Sequence, residues 1–193
     1  EVLSLAQKDV FQTNKFTNEN DIIGGGVINV SLVNNQEKSF DTSNMTYKQL
    51  ANKLNEMGLS TSIENTSRNN NQNEYRIIIK SPESGLENKI NFSGDTSTLG
   101  LDLESNNVLK AKDSLIKVDG VEYLNSSNNL IVNGLKINAI KDGISTIDIK
   151  EDSNSIIEEM KNFTKKYNEL NELLNKGIYD QSSNIEDKSS LRN

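Results

Sequence analysis

Residues 111–174 read AKDSLIKVDGVEYLNSSNNLIVNGLKINAIKDGISTIDIKEDSNSIIEEMKNFTKKYNELNELL, and this stretch decides the fold. Its first half contains short alternating apolar segments divided by the dipeptides Asp119-Gly120, Asn133-Gly134 and Asp142-Gly143. Such dipeptides are typical of type I′ turns, in which both central residues need positive φ. The pattern predicts three hairpins in a small antiparallel β domain, the last leading into an alternating strand over 144–149.

The second half of this stretch predicts one helix over about 152–177. Ser155 and Glu158 form the pattern of a capping box, and Gly177 is typical of the residue that follows a helix. Six apolar residues recur in alternating steps of four and three, which favours a coiled coil over a core helix. Ordinary surface helices also show short heptad runs, so that alternative stays open. The seam residues are Ile156, Met160, Phe163, Tyr167, Leu170 and Leu174.

The chain before residue 106 predicts a second β-rich domain with one packed helix. Thr46 and Gln49 form another capping box, and Gly58 follows a helix whose apolar residues fall on one face. Strands are predicted at about 28–32, 60–65, 75–81 and 89–92, with a polar hairpin tip at 68–73. The predicted order is that of a ββαβββ-like module. The whole chain is therefore predicted to be α+β and mostly β.

The composition argues against catalysis. The 193 residues include no His, Cys or Trp, and the net charge is -7. The usual general base near neutral pH, the thiolate nucleophile and the soft metal ligands are therefore absent. An acidic chain is a poor match for nucleic acid, and no apolar run approaches the ~20 residues that span a bilayer. We predict no catalytic residue, no cofactor, no metal site, no nucleic-acid partner and no membrane span.

The acidic side chains carry the remaining chemical alternatives. Asp148, Glu151 and Asp152 offer oxygen atoms that Ca²⁺ could use, but the spacing of an EF-hand loop is missing. We interpret them as solvated loop carboxylates. A pair of carboxylates for glycoside hydrolysis has no recognisable spacing, and aromatic residues that would stack on sugars are few.

One series of residues in 111–174 keeps a distinctive order: Ala-x-Asp, then Asp-Gly, Ser-Asn and Gly before alternating strands, and Phe-x-x-x-Tyr-Asn in the helix. This series resembles the carboxy-terminal signature of the bacterial flagellar filament cap family, also called the flagellar hook-associated protein 2 family. Ser114 and Thr164 stand where the family has Ala and Val. The matching residues are Ala111, Asp113, Asp119, Gly120, Ser127, Asn128, Gly134, Phe163, Tyr167 and Asn168.

The upstream region carries a second resemblance. Residues 46–67, TYKQLANKLNEMGLSTSIENTS, and 74–92, EYRIIIKSPESGLENKINF, are similar to a motif of the variable outer regions of flagellin-related proteins. Thr61 and Ser62 stand where that motif usually has a small Ala. A capped helix before a hairpin is a common construction, so this match is less specific than the first.

The resemblance to filament caps implies a division of the chain. Residues 1–16 would leave a helical stalk, 17–105 would form the outer β/α domain, and 106–151 the antiparallel β domain. Part of residues 9–24 is a candidate additional strand for the second β domain. Residues 152–177 would be the stalk helix, and 178–193 a polar tail.

The resemblance also implies a structural function: capping the growing filament tip and promoting insertion of exported flagellin. The implied partners are further copies of the chain in a ring, flagellin, hook-associated junction proteins and an export chaperone, with host mucin or glycan left open. The chain opens at Glu1 without a charged-then-apolar leader, so we expect an extracellular protein exported without a classical signal peptide. Two alternatives stay open: a flagellin or hook-filament junction protein, and a host-surface adhesin or carbohydrate-binding module.

Overall fold

The computed structural model describes residues 1–33, 37–68, 73–148 and 153–179. The chain divides into two compact units, Glu1–Ser145 and Thr146–Asn193. The described residues of the first unit are mostly β, and those of the second are mainly one helix. The strands are β1 (Val2–Ser4), β2 (Val10–Gln12), β3 (Val27–Leu32), β4 (Lys38–Asp41), β5 (Ser60–Asn65), β6 (Tyr75–Lys80), β7 (Ile90–Gly94), β8 (Asn107–Leu109), β9 (Ser114–Val118), β10 (Val121–Asn125), β11 (Asn129–Val132) and β12 (Leu135–Asn138), and the helices are α1 (Tyr47–Glu56) and α2 (Ser153–Tyr179).

The larger hydrophobic core lies in the part of the first unit that contains α1. Two antiparallel sheets, in the orders β4-β3-β7 and β5-β6-β2-β8, contribute buried side chains to this core. Helix α1 begins as predicted, because Thr46 and Gln49 make both hydrogen bonds of a capping box. Leu50, Ala51 and Leu54 are its buried residues. The predicted ββαβββ order is that of β3 to β7 with α1.

A smaller hydrophobic cluster lies in the second β region, which consists of β1 and β9 to β12. The sheets here are β1-β9-β10 and the two-stranded β11-β12. The buried side chains are those of Ile116, Leu130, Val132 and Ala139. Small antiparallel sheets, one packed helix and one terminal helix confirm the predicted α+β, mostly β class.

The N-terminal segment is shared between the two clusters, and the completion of the second β domain by part of residues 9–24 stays a prediction. Strand β2 pairs with β6 and β8 in a sheet of the larger core, and β1 pairs with β9. Phe11 explains the placement of β2, because this side chain is buried in the larger core with its ring edge-to-face against Phe92, centroids 4.9 Å apart. The finer division of the chain at residue 105 stays a prediction.

The third predicted hairpin is wrong. Asp142 does not have the positive φ that a type I′ turn requires, and Gly143 instead forms an isolated bridge with Val2. No strand forms over residues 144–148 in the described part of the chain, and these residues are exposed. A strand without a partner leaves its ladder hydrogen bonds unmade. Ile149 lies outside the described residues.

The boundaries of the terminal helix also differ from the prediction. Helix α2 begins at Ser153, ahead of the predicted cap Ser155, and passes through Gly177 to Tyr179. A glycine within a helix costs only about 1 kcal/mol relative to alanine, so Gly177 alone does not end it. Most of the predicted hairpin tip at 68–73, the carboxylates of Glu151 and Asp152, and the tail from residue 180 onward lie outside the described residues.

Candidate assembly helix and motif turns

The predicted seam lies on the exposed surface of α2. Its exposed fractions range from 39% at Leu174 to 73% at Phe163. Two apolar residues that the heptad pattern left out, Ile157 and Leu173, are also exposed at 47% and 68%. They widen the apolar stripe because each is next to a seam residue in the sequence. The heptad pattern missed them because it counts only two positions in every seven.

The geometry of the seam suits packing against another helix. From Ile156 to Leu174 the stripe extends about 27 Å at the α-helical rise per residue. The Thr164 hydroxyl donates to the Met160 carbonyl at 2.9 Å, so its polar atom bonds to the helix itself. Outside the seam, Lys166 and Glu169 form an exposed ion pair at 3.2 Å. The arrangement can bury apolar area against a partner helix.

Two of the motif turns are two-residue loops that each close a β-hairpin. Asp119 and Gly120 have φ values of 51° and 87°, and the pair Val118 and Val121 flanks them. Asn133 and Gly134, with φ values of 49° and 81°, close β11 and β12 in the same way. Both turns have the positive φ at both central positions that a type I′ turn needs. They set the registers of β9 with β10 and of β11 with β12.

The motif residue Asn128 holds the N-terminal segment against the second β region. Its side-chain oxygen accepts from the Ala6 amide at 2.7 Å, and its Nδ2 donates to the Ala6 carbonyl at 3.2 Å. The side-chain amide thus makes the two bonds that a neighbouring strand would make. Ala6 is buried, so these bonds satisfy backbone groups with little access to water.

A buried hydroxyl occupies the position where the family has alanine. Ser114 is fully buried, and its Oγ lies 2.7 Å from the Ser127 carbonyl and 3.1 Å from the Asn125 carbonyl. Its single proton can serve either acceptor. The substitution is therefore accommodated by hydrogen bonding within the Ser127-Asn128 turn.

The same motif contacts the turn that contains the proline. Asp113 accepts from the Leu86 amide at 2.8 Å, and Ser84 donates its hydroxyl proton to the Ser126 carbonyl at 2.8 Å. Gly85 has a φ of 95°, and a Cβ placed there would lie 2.5 Å from the side chain of Ser126. Only glycine fits this approach. The sequence indicated a turn here but gave no sign of its partner.

Asp9 is a structural residue that sequence reasoning missed. Its carboxylate is fully buried and accepts from the Ile90 amide at 2.8 Å and the Ala111 amide at 3.3 Å. Its own amide donates to the Ser81 hydroxyl at 3.0 Å. One side chain therefore connects β7 to the start of the motif at Ala111. No pattern in the sequence singled it out, because its partners are distant along the chain.

The predicted site residues fall in both compact units. The turns at Asp119, Gly120, Asn128 and Gly134 lie in the first unit, and exposed Asn168 lies on α2 in the second. Among the described residues, no group of three potential ligands from His, Cys, Asp or Glu could hold a metal ion. Within the same residues, the structure contains no helix that is long and apolar enough to cross a membrane.

Comparisons with known proteins agree with this architecture. The family model described as flagellar hook-associated protein 2 C-terminus matches residues 111–192. Flagellar hook-associated protein 2 from Campylobacter jejuni is 24% identical over 242 residues, which cover 99% of this chain and 36% of that protein. The chain therefore spans about a third of the length of this curated relative.

Two crystal structures show the same fold. A fragment of the flagellar cap protein FliD from Escherichia coli aligns with a TM-score of 0.70 and 21% identity, covering 91% of this chain and 55% of that one. FliD from Pseudomonas aeruginosa aligns with a TM-score of 0.67 and 21% identity, covering 91% and 88%. At 21% identity, these two alignments show that the chain shares the fold of these cap-protein structures. Residues 111–192 match the model of the flagellar hook-associated protein 2 family, and this match confirms the resemblance found in the sequence.

Proposed function

We propose that the chain is the outer part of a cap at the tip of a growing flagellar filament, where it promotes insertion of exported flagellin. The observation that carries the proposal is the family match over residues 111–192, because this range contains both hairpin turns and the whole seam. The protein is then extracellular. Its action is steric and requires no covalent chemistry.

In the proposed mechanism, α2 joins other helices of a stalk through its seam. The stalk contacts the filament end, and the β regions form a plate that limits escape of unfolded subunits. Several copies of the chain form a ring in this mechanism. Hook-associated junction proteins and an export chaperone are further proposed partners.

The energetics of the seam explain why the rest of the stalk is needed. Full burial of a large apolar side chain contributes roughly 1.5–3 kcal/mol. The seam side chains are already partly covered, so each contributes less than this. Association costs an estimated 4–15 kcal/mol in lost translational and rotational freedom. Six such residues therefore leave little surplus, and stable packing needs more helix than α2 supplies.

A charge placed in the seam tests the proposal in the full-length protein. Phe163→Glu or Leu170→Glu would put a carboxylate in the packed stripe, and burying an unpaired charge costs several kcal/mol. We expect weaker self-association in sedimentation, shorter filaments and reduced swimming, with the β regions still folded. Asn162→Glu is the matched control, because it adds the same charge to an exposed residue of α2 outside the seam.

The outcomes of this experiment separate the alternatives. If both seam variants associate and build filaments like Asn162→Glu, the seam is ordinary surface patterning and the stalk mechanism is wrong. If association is lost but filaments grow normally, self-association does not serve capping. A host-surface adhesin or carbohydrate-binding module would instead show binding of the isolated chain to mucin or glycan arrays, independent of the seam.

A further inference from the structure

Strand β7 lies at the edge of its sheet and borders a groove on the surface of the first unit. It pairs with β3 on one side, and the other side of its backbone faces away from the sheet. The groove has a volume of about 440 Å³, within the range of roughly 300–1,000 Å³ that is typical of ligand sites. Its lining includes residues of β7, the segment around 101–111 and Leu86.

The hydrogen bonds at the two ends of β7 show which backbone groups face away from β3. The Asp95 amide, directly after the strand, donates to the Val27 carbonyl of β3 at 2.9 Å. The Ile90 amide instead donates to the Asp9 carboxylate at 2.8 Å. Because backbone groups alternate in direction along a strand, the amide and carbonyl of Phe92 point to the same side as the Ile90 amide. Among the described residues, neither group of Phe92 has a hydrogen-bond partner.

The side chains that line the groove favour an apolar and uncharged occupant. Leu86 and Leu103 are 53% and 47% exposed at the groove, and the nearby Leu101 is buried. The four exposed charges of the lining match in number, with two cations and two anions, and one pair of them forms an ion pair. These four residues are Lys89, Asp102, Glu104 and Lys110.

One buried acceptor in the lining lacks a donor. The side-chain oxygen of Asn107, at the start of β8, is buried and has no hydrogen-bond partner among the described residues. Buried polar atoms normally have a partner, because an unsatisfied one destabilises the fold. A hydroxyl or amide donor brought into the groove would supply the missing bond.

We propose that the open edge of β7 binds an extended polypeptide segment, which adds to the sheet as a fourth strand. A polypeptide carries both the acceptor and the donor that the backbone of Phe92 requires, as in other cases of strand addition. This binding activity goes beyond the proposed capping function, since a cap that acts sterically does not require it.

The alternation of side chains along a strand defines the chemistry of the segment. Phe92 packs against the larger core, which also includes Leu101 of the groove lining. The residue of the added strand that lies opposite Phe92 points to the same face and should be apolar. Its two neighbours fall on the other face, beside Asn91 and Ser93, and should be polar. The groove is therefore suited to a polar-apolar-polar segment in extended conformation.

Amide hydrogen exchange with a model peptide tests the proposal on the unaltered 193-residue chain. The probe is acetyl-Thr-Thr-Val-Thr-Thr-amide, whose valine would lie opposite Phe92. At a saturating peptide concentration the Phe92 amide should exchange at least about tenfold more slowly. The Asn91 and Ser93 amides, which face β3, are the internal controls and should not change. If the Phe92 amide exchanges at the same rate with and without the peptide, the proposal is wrong.

A methylated peptide separates strand pairing from apolar contact. N-methylation of the valine removes the amide that would donate to the Phe92 carbonyl, so this peptide should give little protection at Phe92. Equal protection by both peptides would show contact without strand pairing and would overturn the proposal. Protection that rises with protein concentration in the absence of peptide would assign the edge to a second copy of the chain, which also contradicts it.

Leu103→Ser tests whether the groove provides the apolar contact. The change removes an apolar side chain from the lining, and we expect it to weaken binding of the valine peptide about fivefold or more. Leu124→Ser is the matched control, because Leu124 is an exposed leucine of β10 outside the groove. Circular dichroism checks that both variants remain folded. Equal affinities of the two variants would refute the assignment of this groove, and the capping proposal would still stand because the assay uses only peptide and chain.

Discussion

Replacing Asn128 by alanine tests whether this motif residue holds the N-terminal segment in place. The change removes both side-chain bonds to Ala6, one to its amide at 2.7 Å and one to its carbonyl at 3.2 Å. The backbone bond in which the Ala139 amide donates to the Asn128 carbonyl at 2.8 Å is kept. The perturbation is therefore limited to the contact between the turn and residue 6.

The expected magnitude follows from the burial of Ala6. Ala6 is 7% exposed, so its freed amide and carbonyl gain few bonds to water. Leaving a buried polar group unsatisfied costs about 1–3 kcal/mol. The carbonyl bond is the longer of the two and contributes less. We expect the free energy of unfolding to fall by about 2 kcal/mol, a large part of the 5–15 kcal/mol typical of a domain.

Urea unfolding followed by circular dichroism measures this loss. Asn91→Ala is the control, because Asn91 is an exposed asparagine in a strand, and a surface substitution of this kind changes stability by less than about 0.5 kcal/mol. Asn128→Asp retains an acceptor for the Ala6 amide but turns a carboxylate oxygen toward the Ala6 carbonyl, so it should not rescue stability. If Asn128→Ala costs no more than Asn91→Ala, the turn does not hold the segment.

Two further predictions concern solution behaviour. The 193-residue chain should sediment as a monomer or a weak oligomer, because an isolated helix with a narrow seam is marginally stable in water. A stable ring formed by this chain alone would contradict the proposal that more of the stalk is needed. Burial, and secondly the charge of Asp21, raises the pKa of Tyr47, which stacks on Phe16 with ring centroids 3.9 Å apart. The stabilisation from this phenol is present below its unfolded pKa of about 10 and is lost as the pH rises toward the folded pKa. The unfolding free energy should therefore fall less between pH 9 and pH 11 in Tyr47→Phe than in the parent chain, and equal losses would refute the assignment.

Local signals in the sequence were sufficient for the elements whose determinants are close together. The capping box at Thr46 and Gln49 requires residues one turn apart, and the turn at Asp119-Gly120 requires only its two central residues. Both formed as predicted. The fold class followed from the order of these elements and not from knowledge of their packing.

The features that sequence reasoning missed depend on partners far along the chain. Strand β2 is only three residues long, and the burial of Phe11 against Phe92 decides its sheet. Asp9 and Gly85 matter because of Ile90 and Ser126, contacts that no spacing rule encodes. Asp142-Gly143 has the composition of a hairpin turn. No hairpin forms there, because the residues that follow do not pair with the strand before the turn.

The localisation of the protein on intact flagella tests the central claim most directly. Antibodies raised against the β regions and detected with gold particles should label the distal tip of each growing filament and no other part. Labelling along the filament would identify a flagellin, and labelling at the junction of hook and filament would identify a junction protein. Either of those patterns would contradict the proposal that this chain forms the outer part of a filament cap.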